Sequence, residues 1–153
     1  MKISTENIWK KRQMLDRERI LAKSGELERY LKELDEVFPA NIEEYKKIEK
    51  KRSCERILQL IIECLIDIAK LFVKNLRLGI PSGENDLLKK LSEAKVLSAS
   101  SAAALQSMRG FRNILIHDYA DVDDALVFKY VMENSGDFDK IRREFLEFLK
   151  NGK

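Results

Sequence analysis

The side chains best suited to chemistry lie together in one stretch, Met108 to Asp123, which reads MRGFRNILIHDYADVD and holds the only histidine of the chain. Within it Arg112, Asn113, His117, Asp118 and Tyr119 bring a guanidinium, an amide, an imidazole, a carboxylate and a phenol to one helical end. Such a set suits a phosphate site. Cleaving RNA without a metal requires three things: the 2′-hydroxyl must lose its proton, the phosphorane charge must be held, and the 5′-oxygen must be protonated. His117 can move protons. Arg112 can grip non-bridging oxygens with two parallel hydrogen bonds. Tyr119 can donate to the phosphate or stack on a base.

Spacing complicates this reading. Five residues turn a helix through about 140° beyond a full turn, so Arg112 and His117 do not share a face. The set aligned at four-residue intervals is Arg109, Asn113 and His117. Either the helix unwinds before His117, or another subunit completes the site. Alone, a histidine at a helix C-terminus is more often a favourable dipole partner than a catalyst. Glu63 and Asp67 share a helix face and could orient Arg112 or His117 from a second helix.

The elements that must position these groups read as helices. Two prolines and six glycines in 153 residues, with abundant Leu, Ile, Lys and Glu, give an all-α composition in a single domain spanning 1–153. The first helix is expected from Thr5 to Val37 and stops at Phe38, Pro39 and Ala40. Asn41, with Glu44 three residues on, caps a central helix from Ile42 to Arg77. Gly79, Pro81 and Gly83 mark a loop, followed by a short helix over Glu84 to Ser92. Ser98 or Ser100 caps a fourth helix whose Leu105, Met108, Phe111, Ile114, Leu115 and Ile116 face inward and which ends near His117 to Asp121. A last helix runs from Asp123 to Lys150, with Ser135 and Gly136 as its weakest point. The expected architecture is an up-and-down antiparallel bundle of four to five helices. Trp9, Tyr30 and Tyr45 read as packing or surface anchors, and Phe138, Phe145 and Phe148 as core or dimer contacts.

Charge is nearly balanced, 29 Lys and Arg against 26 Asp and Glu, so net charge alone is no nucleic-acid footprint. Its distribution is uneven: Lys46, Lys47, Lys50, Lys51, Arg52 and Arg56 cluster before the central apolar run, whereas Asp118 to Asp139 holds seven acids against Lys129. Opposite fields are expected at two ends of the molecule. Cys54 and Cys64 are placed on one helix too far apart to bridge, and with no apolar leader or span in view the expected location is the cytoplasm. A P-loop, a Rossmann glycine pattern and a Cys/His metal spacing are all missing, so neither a cofactor nor a metal is expected.

FRNILIHDYADVD resembles the HEPN motif of the HepT-like family, in which Arg, usually followed by Asn, precedes His by five positions and Tyr by seven. Arg112, Asn113, His117 and Tyr119 match it. KKRSCERILQLIIECLIDIAK is similar to the family's long second helix, with Arg52, Glu55, Arg56, Glu63 and Asp67 in place, and LSEAKVLSASSAAALQSM to its approach to the motif. The resemblance implies a HEPN-like bundle that forms a homodimer, in which two Arg/His motifs meet in a basic cleft. It further implies a metal-independent endoribonuclease toxin, with Arg112 and His117 catalytic; Asn113, Tyr119, Glu63 and Asp67 are the candidates for supporting them or holding RNA. The implied partner is a minimal nucleotidyltransferase antitoxin that adenylylates Tyr119. The competing expectations are a non-catalytic helical module that holds such a partner or a nucleotide, and a purely structural helical protein.

Overall fold

Good helix formers and apolar stripes, interrupted at few points, produce six helices in the computed structural model. It describes residues 5–117 and 122–151, with side chains in the first helix described from residue 16 onward. They are α1 Thr5–Val37, α2 Ile42–Tyr45, α3 Ile48–Asn75, α4 Glu84–Glu93, α5 Ala99–His117 and α6 Asp124–Lys150. With α2 a single turn, five helices of substance form an all-α bundle.

Cross-helix contacts give the directions. Lys23 meets Asp67 at 3.5 Å and Asp16 approaches Lys74 at 3.9 Å, so α1 and α3 run antiparallel. Arg17 donates to the Leu149 carbonyl, which sets α6 antiparallel to α1. α3 and α6 are parallel: Lys51 meets Asp124 at one end, and Phe72 stacks on Phe145 toward the other. α5 runs against α6, with Ser101 near Glu144 and Phe111 against Tyr130. The core lies along the inner face of α3, where Leu58, Ile61, Ile62, Leu65, Ile68 and Phe72 are buried.

Three expectations change. The central helix is broken at Lys46 and Lys47, where Lys47 adopts an extended φ of −63° and ψ of 130°. Tyr45 and Ile48 would share one face of a continuous helix. The break lets Tyr45 enter an aromatic cluster with Phe38 and Phe128 while Ile48 stays 64% exposed. Asn41 caps α2 as expected, accepting from the Glu44 amide at 2.9 Å. α6, by contrast, continues through Ser135 and Gly136. One glycine costs about 1 kcal/mol in a helix, less than is gained by burying Val131, Phe138 and Ile141 around it. Lastly, the basic and acidic clusters do not occupy opposite ends. Because α3 and α6 are parallel their first turns are neighbours, and Lys51 pairs with Asp124 at 3.5 Å.

The connection before α4 turns through Arg77 and Gly79, both with positive φ; glycine carries the value of 93° without steric cost. This turn returns the chain so that Glu84, the first residue of α4, meets the middle of α5. Cys54 and Cys64 are buried and unbridged. Among the described residues no helix is long and apolar enough to cross a membrane.

Candidate active site

α5 presents the motif, and its inner stripe fixes how. Leu105, Met108, Phe111 and Leu115 are buried, and the Phe111 ring stacks on Tyr130 of α6 with centroids 4.0 Å apart and planes 12° apart. Burial pushes the Tyr130 phenol up to about 12, although a hydrogen bond from its surroundings at Ser107 pulls the other way. Ile114 and Ile116 do not pack inward as expected but are 40% and 37% exposed. They flank Leu115 at about 100° on either side, and a helix against one core has a single inward stripe.

α5 stays helical through His117, so the helix does not unwind to bring the motif together. Arg112 and His117 therefore leave the helix about 140° apart. His117 is exposed on the last turn of α5. Arg112 points instead toward α4, its side chain only 14% exposed. There Glu84 receives it: Arg112 Nη2 donates to Glu84 Oε1 at 3.0 Å and Nη1 to Oε2 at 3.5 Å. Arg109 joins the same carboxylate at 3.6 Å and donates to Asn85 at 2.7 Å. Asn113 accepts from Arg112 Nη2 at 3.3 Å. The Nε atoms of Arg109 and Arg112 are buried and have no hydrogen-bond partner among the described residues.

The carboxylate on Arg112 is thus Glu84, and neither Glu63 nor Asp67 meets Arg112 or His117 in a hydrogen bond or ion pair. Asp67 faces α1 and pairs with Lys23. Glu63 accepts from Gln59 Nε2 at 3.1 Å. Glu84 escaped the sequence reading because an acid in the first turn of a helix already has a local explanation in the dipole. Only the docking of α4 on α5 aims it at an arginine in another element. Tyr119 and Asp118 lie outside the described residues.

Beside the last turn of α5 a cleft of about 380 Å³ opens toward α3, lined by Arg52, Glu55, Arg56, Gln59, Leu115 and Ile116. Among the described residues no group of three His, Cys, Asp or Glu side chains could hold a metal ion.

The antiparallel all-α bundle is the architecture expected of a HEPN-type protein. The model of the family described as Ribonuclease HepT-like matches residues 27–145, and the chain belongs to that family. It is 26% identical over 131 residues to a Shewanella oneidensis protein named mRNA nuclease HepT, covering 86% of this chain and 96% of that one. It is 30% identical over 101 residues to an Aphanizomenon flos-aquae protein named tRNA nuclease HepT, covering 65% and 69%. Among solved structures, YutE of Bacillus subtilis, a cytosolic protein of unknown function, shares the fold with a TM-score of 0.78 at 18% identity, over 89% of this chain and 92% of that one. A tri-AMPylated Shewanella oneidensis HEPN toxin, solved in complex with an MNT antitoxin, is similar with a TM-score of 0.77 at 25% identity, over 84% and 96%.

Proposed function

We propose that this chain is a metal-independent endoribonuclease toxin whose catalytic site joins Arg112 of one protomer to His117 of a second copy. The observation that carries the reading is the unbroken α5: the two residues are committed to different directions, and one chain does not close a site around a single phosphate. A two-fold pairing of α5 ends supplies the missing half. Ile114, 40% exposed one turn before His117, is the apolar surface such a pairing would cover.

In this mechanism His117 exchanges protons with the attacking 2′-hydroxyl and the leaving 5′-oxygen. The 2′-oxygen forms its bond to phosphorus as the bond to the 5′-oxygen breaks, leaving a 2′,3′-cyclic phosphate and a free 5′-hydroxyl. Arg112 neutralises the charge that builds on the phosphorane, with Glu84 and Asn113 fixing its guanidinium. A minimal nucleotidyltransferase neutralises the toxin by placing AMP, a bulky anion, on Tyr119. Both proteins act in the cytoplasm.

The test is induction of the protein alone, beside Arg112→Ala and His117→Ala forms, with 3′-end analysis of the recovered RNA. Growth arrest with new cyclic-phosphate ends, lost in both variants and undiminished by EDTA in vitro, is expected. Arrest that survives both substitutions refutes the reading.

A second reading has one observation behind it: Glu84 already occupies the guanidinium edge that would grip a phosphate. On that reading the dimer holds a nucleotidyltransferase or a nucleotide without turnover. Soluble protein, stable association with the partner and no new RNA ends would then be the result.

A further inference from the structure

We infer that the cleft between α3 and the last turn of α5 is a nucleotide subsite, taking one nucleotide of single-stranded RNA beside the phosphate that is cut. The inference rests on the ribonuclease reading of Arg112 and His117 and adds residues that reading does not use.

Position is the first argument. Leu115 and Ile116 form the α5 wall of the cleft, and Ile116 immediately precedes His117, so the cleft opens beside the helical turn that carries the imidazole. Charge is the second. Arg52 and Arg56 are one helical turn apart on α3 and line the same opening. The single carboxylate among the lining residues is Glu55, which is largely covered and accepts from Arg52 at 3.1 Å. Arg56 has no ion pair among the described residues, so the cleft keeps an uncompensated cation. Lys51 is turned away to Asp124. An exposed guanidinium beside an aliphatic wall matches a phosphate followed by a base.

Shape and polarity complete the case. The volume of about 380 Å³ suits one splayed-out nucleotide rather than a paired duplex, whose bases stay stacked. Ile116, 37% exposed, offers an apolar surface to a base, with Leu115 behind it. Gln59 supplies the polar edge: its Nε2 is committed to Glu63, which leaves Oε1 as the acceptor for an exocyclic amino group. Glu63 thereby acts as a positioning residue for Gln59, not for Arg112.

Binding is measured by anisotropy of a labelled single-stranded RNA pentamer on the His117→Ala protein, so that turnover is not needed. Arg52→Gln and Arg56→Gln are added to it one at a time, and Lys32→Gln, the same charge change on exposed α1, is the control. Each arginine change is expected to weaken binding roughly tenfold and to lower the slope of log affinity against log salt by about 0.7. The Lys32 change should do neither. Gln59→Leu should lower the preference among homopolymer pentamers while leaving the salt slope in place. Equal affinity and slope in all forms overturns the subsite, even if wild-type protein cleaves RNA. Loss of grip on a nucleotidyltransferase, with RNA binding intact, also overturns it and assigns the cleft to a protein partner. Cleavage absent from wild type with the arginine effects present removes the ribonuclease reading but leaves the subsite standing.

Discussion

Replacing Glu84 by alanine isolates the contact on which the site geometry depends. The carboxylate pairs with two guanidinium groups, Arg112 at 3.0 Å and Arg109 at 3.6 Å, whose side chains are 14% and 25% exposed. Removing one partner of a fully buried pair costs about 3–5 kcal/mol because the other charge is stranded. An exposed pair is worth about 0–1 kcal/mol. Glu84, itself one-quarter exposed, falls between these limits, so a loss of about 2 kcal/mol is expected. At this chain length that lowers Tm by about 4–8 °C. Thermal unfolding followed by circular dichroism would read it, in a cycle with Arg112→Ala. The double variant should be more stable than the sum of the single losses implies, because both remove one contact. If Glu84→Ala melts with wild-type protein, or the two losses simply add, the assignment of Glu84 as the anchor of Arg112 is wrong. The same variant should also lower kcat for RNA cleavage more than it raises KM, because a loosened guanidinium is lost to the transition state first.

Three further outcomes follow from the geometry. Mixing inactive Arg112→Ala and His117→Ala proteins under exchange should restore about a quarter of wild-type cleavage, since half of the random dimers carry one intact composite site of two; a site built within one chain would restore none. Glu144 provides a pH signature: burial pushes its carboxyl up, but hydrogen bonds from Ser101 and Ser98 outweigh this and hold it below its ordinary 4.5. Its contribution to stability is therefore present above 4.5 and lost as pH falls through the lowered folded value, and Glu144→Gln should flatten that part of a Tm-against-pH curve. Burial pushes the Cys54 and Cys64 thiols up to about 11, so both should resist iodoacetamide at neutral pH in folded protein and react once it is unfolded.

Much of the bundle is legible in the chain itself because its causes are local. Propensity and an apolar stripe place α1 over Thr5–Val37, the loop glycines and Pro81 separate α3 from α4, and Asn41 caps α2 by accepting from the Glu44 amide. The resemblance of FRNILIHDYADVD to a family motif is likewise a property of the sequence. The 140° between Arg112 and His117 needs only the helix repeat.

What tertiary structure alone decides is where each helix turns its faces, since that depends on which neighbour covers them. Tyr45 and Ile48 part because an aromatic cluster with Phe38 and Phe128 draws only one inward. Ile114 and Ile116 stay outside because α5 meets one core, along Leu105, Met108, Phe111 and Leu115. The basic start of α3 meets the acidic start of α6 because those helices are parallel. Glu84 reaches Arg112 only through the docking of α4 on α5, and Asp67 turns to Lys23 because α1 lies along that side of α3. Each of these pairings joins residues distant in the chain, and their energy exists only once packing has fixed the distances between them; no local spacing encodes it.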